Sequence, residues 1–388
     1  MIMKKLVTSL LIMCILMLPL ALAAGGEEPG GEPVVIRFGY AQTRNYIAFA
    51  EGLLDLARKM AGAGLLSDSI LKEYEGVDFE ETFQDEDINK LWNDICDANI
   101  PGSRYQFVRE AFFDMSLMEE KDHEKMVNRD DVDIMLTMGT RPGVYFANNE
   151  KKNKFINLYA ADPIASKIVK SETERYTDNA YAVVDTTPYL RQLDVGYNFL
   201  QFKKLGMVYE ASETAYIYSA VKEVMQKSEE YGFEVVYKNV TEPVSEDDFD
   251  RYYRELKQAY RELIDEGMDC LYITVSSIDY ETKLMELLED AVIPAGVMTL
   301  AQADLAPLKY GALLGVTLTD SAEIAEHVFR QLERYSTEGV PFNELDMVCE
   351  VTPRIGLNIT TAKKTGFDPG FKKLLMTDRI YRNKEIQK

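Results

Sequence analysis

The residues with the most chemistry to offer sit where short apolar runs end. Gln42, Thr43 and Arg44 follow the run Val34–Tyr40, Thr140 and Arg141 follow Asp131–Met138, and Asp162 follows Phe155–Ala161. In the second half Ser212 and Thr214 follow Leu205–Tyr209, Ser276 and Ser277 close Asp269–Val275, and Thr299 with Gln302 follows Ile293–Met298. These are binding groups. An arginine can clamp a carboxylate through two parallel hydrogen bonds, an aspartate can hold an ammonium, and amides and hydroxyls both donate and accept. Each residue also has a purely local use. Ser212 can cap a helix, Asp162 can start the turn at Pro163, and Arg141 can pair with surface acids. Tyr40, Tyr46, Tyr145 and Tyr209 flank these turns and offer ring faces for stacking. With 23 tyrosines in the chain, chance placement competes with that reading.

The chain holds little raw material for catalysis. It has no G-x-S-x-G, H-E-x-x-H, P-loop or G-x-G-x-x-G pattern. Its only histidines, His123 and His327, lie on separate charged stretches, and no Cys/His spacing suits zinc. No catalytic residue, cofactor or metal ion is therefore assigned, and a non-enzyme is expected. Cys270 and Cys349 lie in apolar strand-like runs, where a buried thiol behaves as a small hydrophobe; one disulfide among Cys96, Cys270 and Cys349 is the alternative.

These groups need a scaffold. Lys4 and Lys5, the apolar run Leu6–Leu20 and the small residues Ala21 and Ala23 read as a secretory signal peptide over residues 1–23. That predicts a periplasmic or otherwise exported protein. Gly25–Pro33 reads as a flexible leader. The remaining length favours two domains. The formal net charge is −22. An acidic surface of that size argues against nucleic acid or anionic lipid as a partner, and a monomer is expected.

From Val34 onward, apolar runs of strand length alternate with amphipathic segments of helical spacing. Residues 45–62 carry Ile47, Leu53, Leu54 and Leu56 at helical intervals. A helix from Ser212 carries Ile217, Val221, Val224, Ser228 and Tyr231 down one side and stops at Gly232. Ser245 to Asp248 opens another, and Asp320 to Glu323 opens a third. Alternation of this kind predicts an α/β protein with parallel sheets and right-handed crossovers. Strands at Ala312–Leu318 and Asp346–Val351, around the helix 320–336, predict a chain that returns to the first lobe and crosses back. Residues 67–100 stand apart, with eleven acids against Lys72 and Lys90. They read as an insertion on the lobe surface, with the only tryptophan, Trp92, on an amphipathic stretch.

The order and spacing of several segments resemble one family: ABC-transporter substrate-binding proteins of the tryptophan/tyrosine type, a branch of the type I periplasmic binding proteins. The matching pieces are KKLGMVYEASET at 203–214, EYGFEVV at 230–236, DCLYITVSS at 269–277, IPAGVMT at 293–299, YGALLGV at 310–316 and LNITTAKKTGF at 357–367. DVDIMLTMGT at 131–140 and FINLYAADPIAS at 155–166 match in the first lobe. The resemblance covers residues 130–367 and is weak before residue 105. It implies two doubly wound parallel-sheet lobes joined by three crossovers, near Asp185–Thr187, Val316–Leu318 and Val348–Thr352. Lobe one would hold residues 34–185 and 317–348, and lobe two 186–316 and 349–388. It further implies a small amino-acid-like or other carboxylate solute between the lobes, an ABC permease as partner, and a cleft role for the Asp162 turn. The alternatives are a sensor protein feeding a membrane receptor and a degenerate scaffold that binds nothing. Two positions depart from the family pattern. Arg141 stands where a small residue or proline is usual, and Ser276-Ser277 stands where Asp and Asn are common. Serines cannot supply a charge to an ammonium.

Overall fold

The computed structural model describes residues 35–383 except 78, 85, 86, 244, 303 and 304. The leader-peptide reading lies outside the described residues, as does the side chain of Thr214. In the first lobe the chain runs through β1 (Ile36–Gln42), α1 (Ile47–Gly62), α2 (Asp87–Asp97), β2 (Tyr105–Asp114), β3 (Ile134–Met138), α3 (Thr140–Asn149), β4 (Lys154–Leu158) and β5 (Ala180–Ala182). The strands lie in the order β2-β1-β3-β4-β5, and every pair is parallel. Parallel strands are covered on both faces. That explains why β3, IMLTM, is buried at every position.

The second lobe begins with α4 (Pro188–Leu200) and continues through β6 (Lys204–Glu210), α5 (Glu213–Tyr218), α6 (Val221–Tyr231), β7 (Glu234–Val240), α7 (Phe249–Asp265), β8 (Cys270–Ile273), β9 (Met298–Ala301) and β10 (Leu314–Val316). After β10 the chain leaves as α8 (Ser321–Thr337), then returns as β11 (Ile355–Asn358), α9 (Ile359–Thr365), α10 (Gly370–Leu375) and β12 (Arg379–Tyr381). The second sheet has the order β12-β11-β10-β9-β8-β6-β7. It is parallel except where β11 pairs antiparallel with β10.

Helix α8 belongs to the first lobe. Its inward face, Ile324, Val328 and Leu332, joins the core built from Phe38, Leu53 and Ile134, and it packs along α1. Asp320 caps it by accepting the Glu323 N–H at 3.0 Å. The crossovers are stitched together. Val184 N–H donates to Met347 O at 2.8 Å, and Cys349 N–H to Val184 O at 3.0 Å. Thr317 N–H donates to Arg354 O at 3.0 Å, Arg354 N–H donates to Thr317 Oγ1 at 2.9 Å, and Arg354 Nε meets Asp320 Oδ2 at 2.5 Å.

Four local expectations shift. The strand expected over 293–298 begins only at Met298. Pro294 and Gly296 (φ +73°) form a turn there, and Ile293 and Val297 are apolar because they plug the helix-to-strand corner. Residues 346–351 form no strand, only a single bridge from Val348 to Val184, because this stretch is crossover chain. The helix expected from Ser212 to Gly232 is two helices, broken where Ala220 takes φ +54°. The acidic stretch 67–100 is a wall of the lobe-one core rather than an appendage. Ile88, Leu91, Trp92 and Ile95 of α2 are fully buried, and Trp92 packs 5.5 Å from the Phe107 ring and 5.6 Å from Tyr40. Burying a large apolar side chain contributes about 1.5–3 kcal/mol, so these four residues anchor a segment whose acids, where described, are exposed or half-buried. Cys96, Cys270 and Cys349 are free and buried.

Candidate ligand-binding site

The three turns nominated in lobe one stand side by side. Thr43 N–H donates to Met138 O at 3.2 Å, and Gly139 N–H donates to Leu158 O at 2.8 Å, so the ends of β1, β3 and β4 are tied in one row. Gly139 has φ +94°, and a Cβ there would lie 2.6 Å from Thr43 Oγ1. Both facts demand glycine. The second approach lies below: a side chain on Gly52 of α1 would collide with the Tyr159 hydroxyl and ring, which lie against that helix.

Within this row the side chains divide. Gln42 is fully buried and fully used; it accepts from Tyr40 Oη at 2.9 Å and donates to Asn45 Oδ1 at 2.8 Å and Asp114 Oδ2 at 2.6 Å. Thr140 Oγ1 accepts the Ala161 N–H at 3.2 Å. Asp162 is exposed, and its Oδ1 accepts the N–H groups of Ile164 and Ala165 at 2.9 and 2.8 Å. The local reading of Asp162 as a turn cap therefore holds, and it occupies one oxygen; Oδ2 has no protein partner among the described residues. Arg44 and Arg141 are exposed and make no ion pair among the described residues. Arg141 also stands in the first turn of α3, where free N–H groups and the helix dipole favour an anion.

The strand ends of lobe two hold one another. Ser212 caps α5 by accepting the Ala215 N–H at 3.0 Å. Thr299 and Gln302 are fully buried. Thr299 Oγ1 accepts the Leu313 N–H at 2.6 Å. Gln302 accepts the Val275 N–H at 2.8 Å, donates to Tyr218 O at 2.7 Å, and accepts from Gln192 at its backbone carbonyl. Their side chains thus brace the sheet edge.

Sequence reasoning passed over Glu210, the last residue of β6 and one of the few buried acids. Its carboxylate accepts the Ser277 N–H at 2.9 Å and the Tyr218 hydroxyl. Burial, then this acid, pushes the Tyr218 phenol up. Tyr252 Oη lies beside the same carboxylate and beside Ser276 Oγ, and both hydroxyls are buried without a well-formed hydrogen bond. A negative charge therefore stands behind the two serines that lack one. The available signal was an acid ending an apolar strand, KLGMVYE.

Tyr189, in the first turn of α4, was also missed. Burial raises its phenol first, then the charges of Glu223 and of Asp162 on the opposite lobe. Of the four tyrosines flanking the turns, Tyr40 and Tyr209 are buried in the core, Tyr145 packs 5.5 Å from His123, and Tyr46 is exposed 5.4 Å from Phe49.

A cavity of about 420 Å3 lies elsewhere, between α8 and residues 348–350, lined by Lys59, Glu323, Glu326, His327, Arg330 and Glu350 among others. Lys59 and Glu326 neutralise each other there at 2.7 Å, and Glu323 accepts the Thr352 N–H. The strand ends are the stronger candidate, because their charges stay open and because ligands of open α/β sheets bind at the carboxyl ends of the strands. Among the described residues no group of three or more His, Cys, Asp or Glu could hold a metal ion.

No family model and no curated protein matches the chain. Solved structures do. A ligand-free, open substrate-binding protein with adhesive properties from Clostridium difficile matches with a TM-score of 0.61 at 16% identity, covering 90% of this chain and 100% of that one. An ABC domain from Streptococcus pneumonia in complex with L-Trp gives 0.54 at 15% identity, over 89% and 99% of the two chains. A periplasmic ribose ABC transporter protein from Conexibacter woesei gives 0.50 at 10% identity, over 89% and 99%. Together with the two parallel-dominated sheets and the chain's return through α8, these likenesses establish that the chain has the two-lobed type I periplasmic-binding-protein fold.

Proposed function

We propose that the chain is the extracytoplasmic solute-binding component of an ABC importer, closing its lobes on a small amino-acid-like or other carboxylate ligand. It would do no covalent chemistry and would hand the solute to a membrane permease. The observation that carries this reading is the open charge on lobe one. Among the described residues Arg44 and Arg141 have no acid partner, and Asp162 keeps one carboxylate oxygen free on the neighbouring turn. A zwitterion needs both signs, and this row offers both within three adjacent turns. The acid of Glu210 behind Ser276 and Ser277 gives lobe two the negative character that its serines lack.

The fold accommodates more than one ligand class: one similar structure holds L-Trp and another belongs to ribose transport. The choice of a carboxylate rests on the two arginines. Export rests on the charged, apolar and small-residue order of residues 1–23; no helix among the described residues is long and apolar enough to cross a membrane.

Thermal shift against amino acids, aromatic carboxylates, sugars and nucleosides is the first test, since a ligand that binds the folded state raises its melting temperature. Calorimetry on Asp162→Asn is the second. Asparagine keeps the oxygen that caps residues 164 and 165 and removes the charge. Charge-assisted hydrogen bonds contribute about 1.5–3 kcal/mol, so the variant should bind an amino acid about tenfold or more weakly with unchanged stability. Tight sugar binding with no response to carboxylates would overturn the ligand class.

A further inference from the structure

The molecule is acidic overall, but its charge is not evenly spread. Between residues 359 and 383, six Lys or Arg stand against Asp368 and Asp378. Both acids are committed to the backbone: Asp368 accepts the Gly370 N–H at 2.9 Å, and Asp378 accepts the Ile355 N–H at 2.7 Å. Lys363, Lys372 and Arg382 are exposed and make no ion pair among the described residues.

The same segment carries a concentration of exposed apolar side chains. Phe371 is 77% exposed, Leu375 71%, Met376 52%, Ile380 44% and Leu374 41%. They come from α10, its C-cap Met376 and β12, the last an edge strand of the second sheet. None of the residues of α10 is buried, so packing does not account for its apolar composition. The helix is nevertheless held in place. Lys373 lies 5.6 Å from the Phe199 ring and 5.2 Å from Phe367, and those rings stack at 6.3 Å.

We infer that α10 and β12 form a docking surface for a bilayer bearing anionic headgroups. Protruding Phe, Leu and Met flanked by Lys and Arg is the composition of an interfacial anchor: the apolar side chains enter the headgroup boundary, and the long cations lie along it. A protein partner would be expected to meet a more closely packed face, with fewer free cations at its centre. The bulk charge does not forbid this. At physiological salt the screening length is about 8 Å, so a membrane is governed by the patch against it and hardly by acids on the far lobe. The inference is independent of the ligand reading and replaces the bulk-charge argument against anionic lipid.

Flotation of the full chain with vesicles tests it. One set is phosphatidylcholine; the other is equal parts phosphatidylcholine and phosphatidylglycerol. Residues 6–20 are themselves apolar, so the readout is the part of binding that depends on anionic lipid. That part should vanish in about 1 M salt, where screening falls to about 3 Å. It should drop roughly tenfold or more in Lys372→Glu/Arg382→Glu, and likewise in Phe371→Ser/Leu375→Ser. Both pairs are exposed, and unchanged thermal melting would establish that the fold is intact. Equal binding to both vesicle sets, or indifference to both pairs, would overturn the inference. So would the two pairs abolishing a self-association seen by light scattering while leaving vesicle binding intact, which would assign the patch to a second copy of the chain.

Discussion

At the strand ends of lobe two, Gln302, Thr299, Glu210 and Ser212 spend their polar atoms on neighbouring backbone and side chains. At the strand ends of lobe one, Gln42 and Thr140 do the same, but Arg44, Arg141 and one oxygen of Asp162 are left facing outward. The same topological position is thus used in two ways. A satisfied network gives a stiff wall, since each buried group would be costly to strip of its partner. Open charges keep their hydrogen-bonding capacity for a ligand. Under the proposed function lobe two would supply a braced wall with the Glu210 charge behind it, and lobe one the open charges.

The contrast can be broken most forcefully at Gln302. Gln302→Leu keeps the bulk and orphans the Val275 N–H and the Tyr218 carbonyl, so it should cost about 2–4 kcal/mol, read from urea unfolding. A variant as stable as the parent would show that the wall is not braced there. The converse is Arg44→Ala/Arg141→Ala. It should leave the urea midpoint unchanged, because neither side chain has an ion-pair partner among the described residues, while weakening a carboxylate ligand about tenfold or more. Full affinity in this variant would remove lobe one's claim to the charge.

A smaller effect lies away from both sets of turns. His327 is buried beside the Asp346 carbonyl and Arg330. Burial holds its imidazole below the ordinary 6.5. Below about pH 6.5 the unfolded chain therefore binds more protons than the folded one, and stability falls until the folded imidazole protonates as well. His327→Gln should shallow the decline in urea midpoint between pH 7 and 5. A wild-type slope in that variant would assign the decline to carboxylates instead.

Most of the strands were legible because parallel strands buried on both faces leave continuous apolar runs, as in residues 134–138. Helix α8's return to lobe one was legible because a capped amphipathic helix followed a second lobe already complete. Residues 293–297 misled because apolar residues at a corner resemble a short strand. The break at Ala220 carries no Gly or Pro to announce it. The site was legible as a set of turns but not as a set of free atoms. Asp162 and Gln302 look alike as polar residues after strands. Only coordinates reveal that one keeps an oxygen open and the other uses its whole amide. Glu210 was hidden because its partners, Tyr218 and Ser277, come from a later helix and the loop after β8.

The opposed directions of β10 and β11 have a mechanical consequence. They bring the chain leaving lobe two at Thr317 alongside the chain re-entering it at Arg354, joined by two hydrogen bonds and followed by the Arg354–Asp320 contact. The remaining crossover is held where Val184 meets Met347 and Cys349. A body hung from one thread can spin; one hung from three cannot. Twisting one lobe on the other would shear these bonds, whereas folding about the line of the tethers leaves them at their lengths. The tethers thereby favour bending over twisting, the hinge motion known from two-domain proteins. Under the proposed function, a solute held at the lobe-one turns would then meet the same patch of lobe two at each closure.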